Sequence, residues 1–160
     1  MNYNIKIAKE EELIRVYSLC KEIKENYEFW DEYYPLYDNF LETFENGFVL
    51  YYEENGEILG SLSIDYEIEE LAGYDDAMSF NKFMVKESHR GKGIGKKLFD
   101  YAEKLVIKEG YNKIVFLVND GNTKALSLYL YWGYQDKGII DINWDEEVSE
   151  TFHIYEKVIE

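Results

Sequence analysis

Phe83-Met84-Val85-Lys86-Glu87-Ser88-His89-Arg90-Gly91-Lys92-Gly93-Ile94-Gly95-Lys96-Lys97-Leu98 is the stretch from which this chain can be read. An apolar strand runs into a loop with glycine at three alternate positions. The loop opens a helix on which Ile94, Leu98, Tyr101, Ala102, Leu105 and Val106 trace one face. At such a junction the first N–H groups have no intrahelical partner, and the helix dipole adds roughly half a positive charge. Glycine lets an anion approach the backbone, and Arg90, Lys92, Lys96 and Lys97 add charge of the right sign. These features together suit a pyrophosphate.

Spacing narrows the ligand. A nucleotide P-loop needs Ser or Thr after Gly-Lys to reach magnesium, and Gly95-Lys96 is followed by Lys97. A dinucleotide fingerprint needs a glycine-like residue where Leu98 stands, and an early strand rather than a late one. The pattern left, Arg90-x-x-Gly93-x-Gly95 after a strand ending in Val85, resembles the acetyl-CoA pyrophosphate loop of the GNAT superfamily of acyl-CoA-dependent N-acetyltransferases. A second segment supports it. The GNAT pattern Asn-x-x-Ala-x-x-x-Tyr-x-x-x-Gly-Phe/Tyr is matched by Asn122, Ala125, Tyr129, Gly133 and Tyr134. The first three share one helical face, on which an amide, a small residue and a phenol would line a groove.

The resemblance implies an α/β (α+β) fold: a mixed, mostly antiparallel central sheet of about seven strands, about four helices, and two splayed parallel strands forming the cofactor slot. It implies that backbone groups of Phe83, Met84 and Val85 bond the pantetheine. Arg90, Gly91, Lys92, Gly93, Ile94, Gly95 and Lys96 would then cradle the pyrophosphate, and Asn122 would contact the cofactor. Tyr129 looks like the family's general acid, since a phenol with a pKa near ~10 carries its proton at neutral pH. The co-substrate implied is acetyl-CoA, with no metal. Some relatives carry a Glu on the strand before the loop, but Ser79-Phe80-Asn81-Lys82 offers no carboxylate. Asp65, Glu67, Glu69 and Glu70 are the alternatives for a base. A non-catalytic acyl-CoA-binding module of the same fold stays open beside the enzyme.

Patterning outside these motifs agrees with that order of elements. Residues 3–8 alternate as a strand, and Leu13, Val16, Tyr17, Cys20 and Ile23 recur at helical spacing. A second helix over 36–44 should stop at Asn46-Gly47. Two apolar runs flanking Glu54-Asn55-Gly56 form a hairpin, because Asn-Gly tolerates the positive φ of tight turns. Strands follow at 79–86, 113–118, 134–142 and 150–159, with helices opening at Ile94 and Asn122. Nothing divides the 160 residues into more than one domain.

Charge identifies the partners to expect. The net −16 argues against nucleic acid, whose phosphates demand surplus Lys and Arg. The charge is uneven: residues 82–113 carry nine Lys+Arg against four acids, while residues 1–81 carry five against twenty. Residues 27–38 hold six aromatics and four acids, including Trp30, Tyr33 and Tyr34. In the GNAT family this region often walls the acceptor pocket, and aromatic faces with carboxylates attract cations. A small cationic or peptide amine is thus one reading; aromatics filling the core beneath a loop is the other. A single Cys, no 18-residue apolar run and no apolar core at the N-terminus read as a cytoplasmic protein without membrane attachment, monomeric or homodimeric. The acidic stretch from Asp141 lacks the glycine and final Glu of a calcium loop, and Cys20 reads as core.

Overall fold

Asn55 and Gly56 adopt φ of 52° and 79°, making the two-residue turn that their chemistry favours. They join β2 (Gly47–Glu54) to β3 (Glu57–Asp65), with Glu54 opposite Glu57. The structure is a computed structural model that describes residues 4–66, 69–71 and 73–160. The other elements are β1 (Ile5–Ile7), α1 (Leu13–Lys24), α2 (Tyr37–Asn46), β4 (Ser79–Val85), α3 (Ile94–Lys108), β5 (Lys113–Asn119), α4 (Thr123–Tyr131), β6 (Gln135–Asn143) and β7 (Ser149–Val158). Among the described residues this is the expected mixed fold of seven strands and four α-helices, in the expected order.

Glycine stops two of the helices. After α3, Tyr111 N–H donates to Val106 O (3.1 Å) and Gly110 N–H to Ile107 O (3.0 Å); after α4, Tyr134 and Gly133 do the same to Tyr129 and Leu130. Both glycines sit at positive φ, so the last carbonyls are satisfied by a left-handed cap. Gly47 ends α2 for another reason. Its backbone is extended, and a Cβ there would lie 2.0 Å from Ile64 O, so glycine permits close strand approach rather than a left-handed cap.

The seven strands form two antiparallel sheets, ordered β1-β2-β3-β4 and β5-β7-β6. One parallel bridge joins them: Met78 N–H donates to Lys113 O and Val115 N–H to Met78 O, both at 3.0 Å. Beyond it β4 and β5 form no ladder among the described residues, so the central sheet expected from sequence is split by a cleft between its two parallel strands.

β4 also carries a bulge. Ser61 pairs with Met84 but Ser63 with Asn81, leaving Leu62 opposite both Lys82 and Phe83. Lys82 absorbs the extra residue at φ 50°, a left-handed conformation that costs a lysine ~1 kcal/mol or more. The bulge breaks the alternation of the strand. Phe80 and Phe83 pack toward α3 and α4 with Phe99 and Phe116, while Lys82 and Met84 face α1 and α2 with Phe40. Cys20 lies fully buried in the second core, where desolvation pushes its thiol up to about 11, so it is a core residue as read. No described helix is long and apolar enough to cross a membrane.

Candidate functional site

The loop between β4 and α3 stands at the end of the cleft. Gly91 (φ 77°) and Gly93 (φ 84°) are left-handed, and a Cβ on either would meet nothing within 4 Å. Both backbones therefore face open space. Gly93 caps α3 without any side-chain cap, and its carbonyl accepts the Lys97 N–H at 3.1 Å, so the preceding N–H groups of the first turn point outward. Arg90 Nε donates to Val85 O at 3.2 Å and ties the loop back to β4. Lys96 pairs with Asp100, whereas Lys92 is exposed beside the glycines.

Gly95 differs from the other two. A Cβ there would lie 2.7 Å from Phe83 Cζ, so this glycine serves helix–strand packing. Ile94 and Met84 are buried, in the α3/α4 and α1/α2 cores respectively, so their side chains anchor the loop and strand rather than meet a ligand. Phe83 and Val85 are partly buried against the α3/α4 core.

Asn122 caps α4: its Oδ1 accepts the Ala125 N–H (3.2 Å) and its Nδ2 donates to Tyr27 Oη (2.8 Å). Tyr27 comes from the α1–α2 connection, 95 residues away, and its hydroxyl lies within electrostatic reach of Arg90 and Tyr129. It thus joins three elements at the mouth of the cleft. Nothing in the spacing singles Tyr27 out; its only sequence signal is membership of the aromatic segment.

Tyr129 is buried in an aromatic cage, stacked on Phe99 (5.4 Å) and edge-on to Phe116 (5.1 Å), with Phe83 at 6.3 Å. Its hydroxyl has no hydrogen-bond partner among the described residues. Burial pushes the phenol well above its ordinary range, so it is protonated at any working pH.

The acceptor candidates divide. Trp30 is half-buried and packs edge-on against Tyr27 at 5.1 Å, while Tyr33 is 75% exposed. Tyr34 is 40% exposed as a whole residue, yet its hydroxyl lies within electrostatic reach of Asp65, Cys20, Glu70 and Glu42, and local desolvation pushes that phenol up. Beneath it lies a polar cluster that sequence reasoning did not find. Lys82 Nζ donates to Thr43 Oγ1 (2.8 Å) and Asn81 Oδ1 (2.6 Å), and Asn81 Nδ2 donates to Asp65 Oδ2 (2.5 Å). Of the carboxylates proposed as a base, Asp65 is held here and Glu70 is exposed; Glu67 and the Glu69 side chain lie outside the described residues.

On the other wall, His153 is held between Asp136 (Nδ1, 2.7 Å) and Asp120 (Nε2, 2.7 Å), close to the Tyr155 ring. Hydrogen bonds to the two carboxylates raise its pKa above the ordinary 6.5. The stabilisation is therefore complete below the unfolded-state pKa and is lost as pH rises through the folded one. Thermal melts of the wild type should fall across that window, and His153→Gln should flatten the slope. An unchanged slope in the variant would show that another group carries it.

Comparison with known proteins agrees with this geometry. The sequence model of the acetyltransferase (GNAT) family matches residues 10–134. Among curated proteins no sequence match is found. Solved structures of the same shape include a ribosomal-protein-alanine N-acetyltransferase from Brucella melitensis, 19% identical, TM-score 0.77, covering 97% of this chain and 99% of that one. An N-acetyltransferase from Staphylococcus aureus Mu50 is 20% identical over the whole of both chains, TM-score 0.77. The structure of yncA from Salmonella typhimurium with its cofactor acetyl-CoA is 18% identical, TM-score 0.77, over 100% of this chain and 95% of that one. At such identities the structural likeness speaks for the fold, and the match over residues 10–134 speaks for the family: this chain belongs to the GNAT family of acetyltransferases.

Proposed function

We propose that the protein transfers an acetyl group from acetyl-CoA to a primary amine of a small cationic acceptor, by direct attack of the amine. The observation that carries this reading is the cleft between β4 and β5, with the open Gly91–Gly93 backbone at its end and the protonated Tyr129 hydroxyl in its wall. The residues fit the co-substrate. Outward N–H groups at the start of α3, with Arg90 and Lys92, suit a pyrophosphate, and the separated backbone of β4 suits a pantetheine amide.

When bound, acetyl-CoA supplies a thioester whose carbonyl carbon accepts the amine. Backbone N–H groups of β4 near the bulge stabilise the charge that develops on the carbonyl oxygen. Tyr129 holds a proton to give to the departing sulfur, and its unpartnered, desolvated hydroxyl has no competing acceptor. Asn122 acts through Tyr27, holding the α1–α2 connection against α4, so that Trp30 and Tyr34 wall the acceptor side. Surrounding acids favour a cationic acceptor, and the protein would serve in the cytoplasm without nucleic acid or membrane, as monomer or homodimer.

A thiol-release assay with acetyl-CoA across spermidine, an aminoglycoside, free amino acids and a peptide N-terminus tests this. Turnover with at least one cationic amine is expected. Tight CoA binding with no turnover of any amine would overturn it in favour of an acyl-CoA-binding module, the reading that the carboxylate-free β4 favours.

A further inference from the structure

Acetyl transfer needs a group that removes the proton with which an amine arrives, and β4 carries no carboxylate to do so. The bulge puts something else at that place. Asn81 and Lys82 both reach the α1/α2 side, where Lys82 is 7% exposed and its Nζ lies 5.5 Å from the Phe40 ring centroid. An ammonium has three N–H donors, a neutral amine two and a lone pair. Thr43 and Asn81 accept two hydrogen bonds from Nζ, and no carboxylate among the described residues lies within ion-pair distance. With no anion against it, Nζ can give up its charge here, and the neutral amine has a lone pair that neither Thr43 nor Asn81 engages.

Further polar groups lie on the same side of the sheet. Ser63 stands opposite Asn81 and Ser79 opposite Asp65, so the four side chains share a face. The Ser63 and Ser79 hydroxyls are buried without a hydrogen-bond partner. Tyr34, from the α1–α2 connection, has its hydroxyl within electrostatic reach of Asp65.

Resting on the reading of the protein as an N-acetyltransferase, we propose that Lys82 is the catalytic base: its neutral amine takes the proton of the acceptor ammonium on the α1/α2 side of β4. Tyr129 faces the neighbouring Phe83 from the α3/α4 side, so base and acid flank the cleft from opposite faces. In the balanced step, Lys82 Nζ gains the ammonium proton and the new N–C bond forms. The C–S bond breaks, Tyr129 protonates the sulfur, and the amide nitrogen's second proton restores the phenol; Lys82 then returns its proton to solvent.

The electrostatics agree. Burial pulls the Lys82 pKa down to about 8, opposed by Asp65 on β3, Glu42 on α2 and Cys20 on α1, with Tyr34 and Glu70 beyond Asp65.

The test compares wild type with Lys82→Met, which keeps bulk and burial, and Lys82→Arg, which cannot deprotonate. The acceptor is whichever amine of the assay above turns over fastest. Both variants should lose ~10²-fold in kcat/KM near pH ~7.5 while binding acetyl-CoA normally. The wild-type rate should rise with pH through about 8. In Lys82→Met that limb should move up to the acceptor's own pKa, a change that a folding defect does not produce. A wild-type profile in either variant refutes the base and leaves the acetyltransferase reading intact, whereas no turnover by wild type removes both. Independently of any acceptor, NMR of protein carrying 13C-lysine should show one resonance, missing in Lys82→Met, that titrates near 8. Titration of Lys82 with the surface lysines overturns the proposal.

Discussion

Tyr129→Phe is expected to lower kcat by ~10³-fold while leaving acetyl-CoA affinity within about twofold. The substitution deletes one oxygen and keeps the ring against Phe99 and Phe116, so the packing of the cage survives. No protein group is orphaned, because the hydroxyl has no hydrogen-bond partner among the described residues. With the ring packing kept and no hydrogen bond lost, the variant should melt close to the wild type, so a fall in kcat reads as catalytic. Steady-state kinetics with calorimetric titration of CoA separate the two quantities. An unchanged kcat removes Tyr129 from the reaction; a parallel loss of CoA affinity makes it a packing residue of the slot.

Gly93→Asp is expected to abolish acetyl-CoA binding up to ~1 mM, a weakening of at least ~10²-fold for a micromolar site. Gly93 is left-handed and open-sided, and Asp is among the residues that tolerate this region best, at a cost of ~1–2 kcal/mol. The added carboxylate stands at the positive end of α3, where negative charge stabilises the helix and offsets much of the strain. The fold should persist while the seat of the pyrophosphate holds a fixed anion. Retained CoA affinity in a folded variant would contradict the placement of the loop. Gly95→Ala makes an instructive contrast: its Cβ would strike Phe83, so it should cost stability before it touches the ligand.

The element order was readable because each boundary rests on local chemistry. The Asn55-Gly56 turn depends on residues a few positions apart, and the structure has it as read; the stops at Gly110 and Gly133 are equally local. The Arg90-x-x-Gly93-x-Gly95 loop was legible for the same reason. The parting of the two parallel strands was implied by the family resemblance, and the structure has it, with one bridge at Met78. Two features were not legible. Gly95 looked like a third phosphate glycine until Phe83 was seen across from it. Lys82 looked like one more member of a basic stretch until the bulge turned it inward.

What the amino-acid sequence determined by itself was the series of strands and helices and the anion loop, since hydrophobic period, glycine stops and unpaired helix N–H groups are properties of contiguous residues. What only the tertiary structure decided was the meeting of distant groups: Tyr27 with Asn122, Tyr129 with its aromatic cage, and Lys82 with Thr43, Asn81 and Asp65. Those contacts depend on a one-residue shift in strand register and on which face of β4 meets which helix. A composition cannot encode them, and they set the protonation states of the two groups on which the chemistry turns.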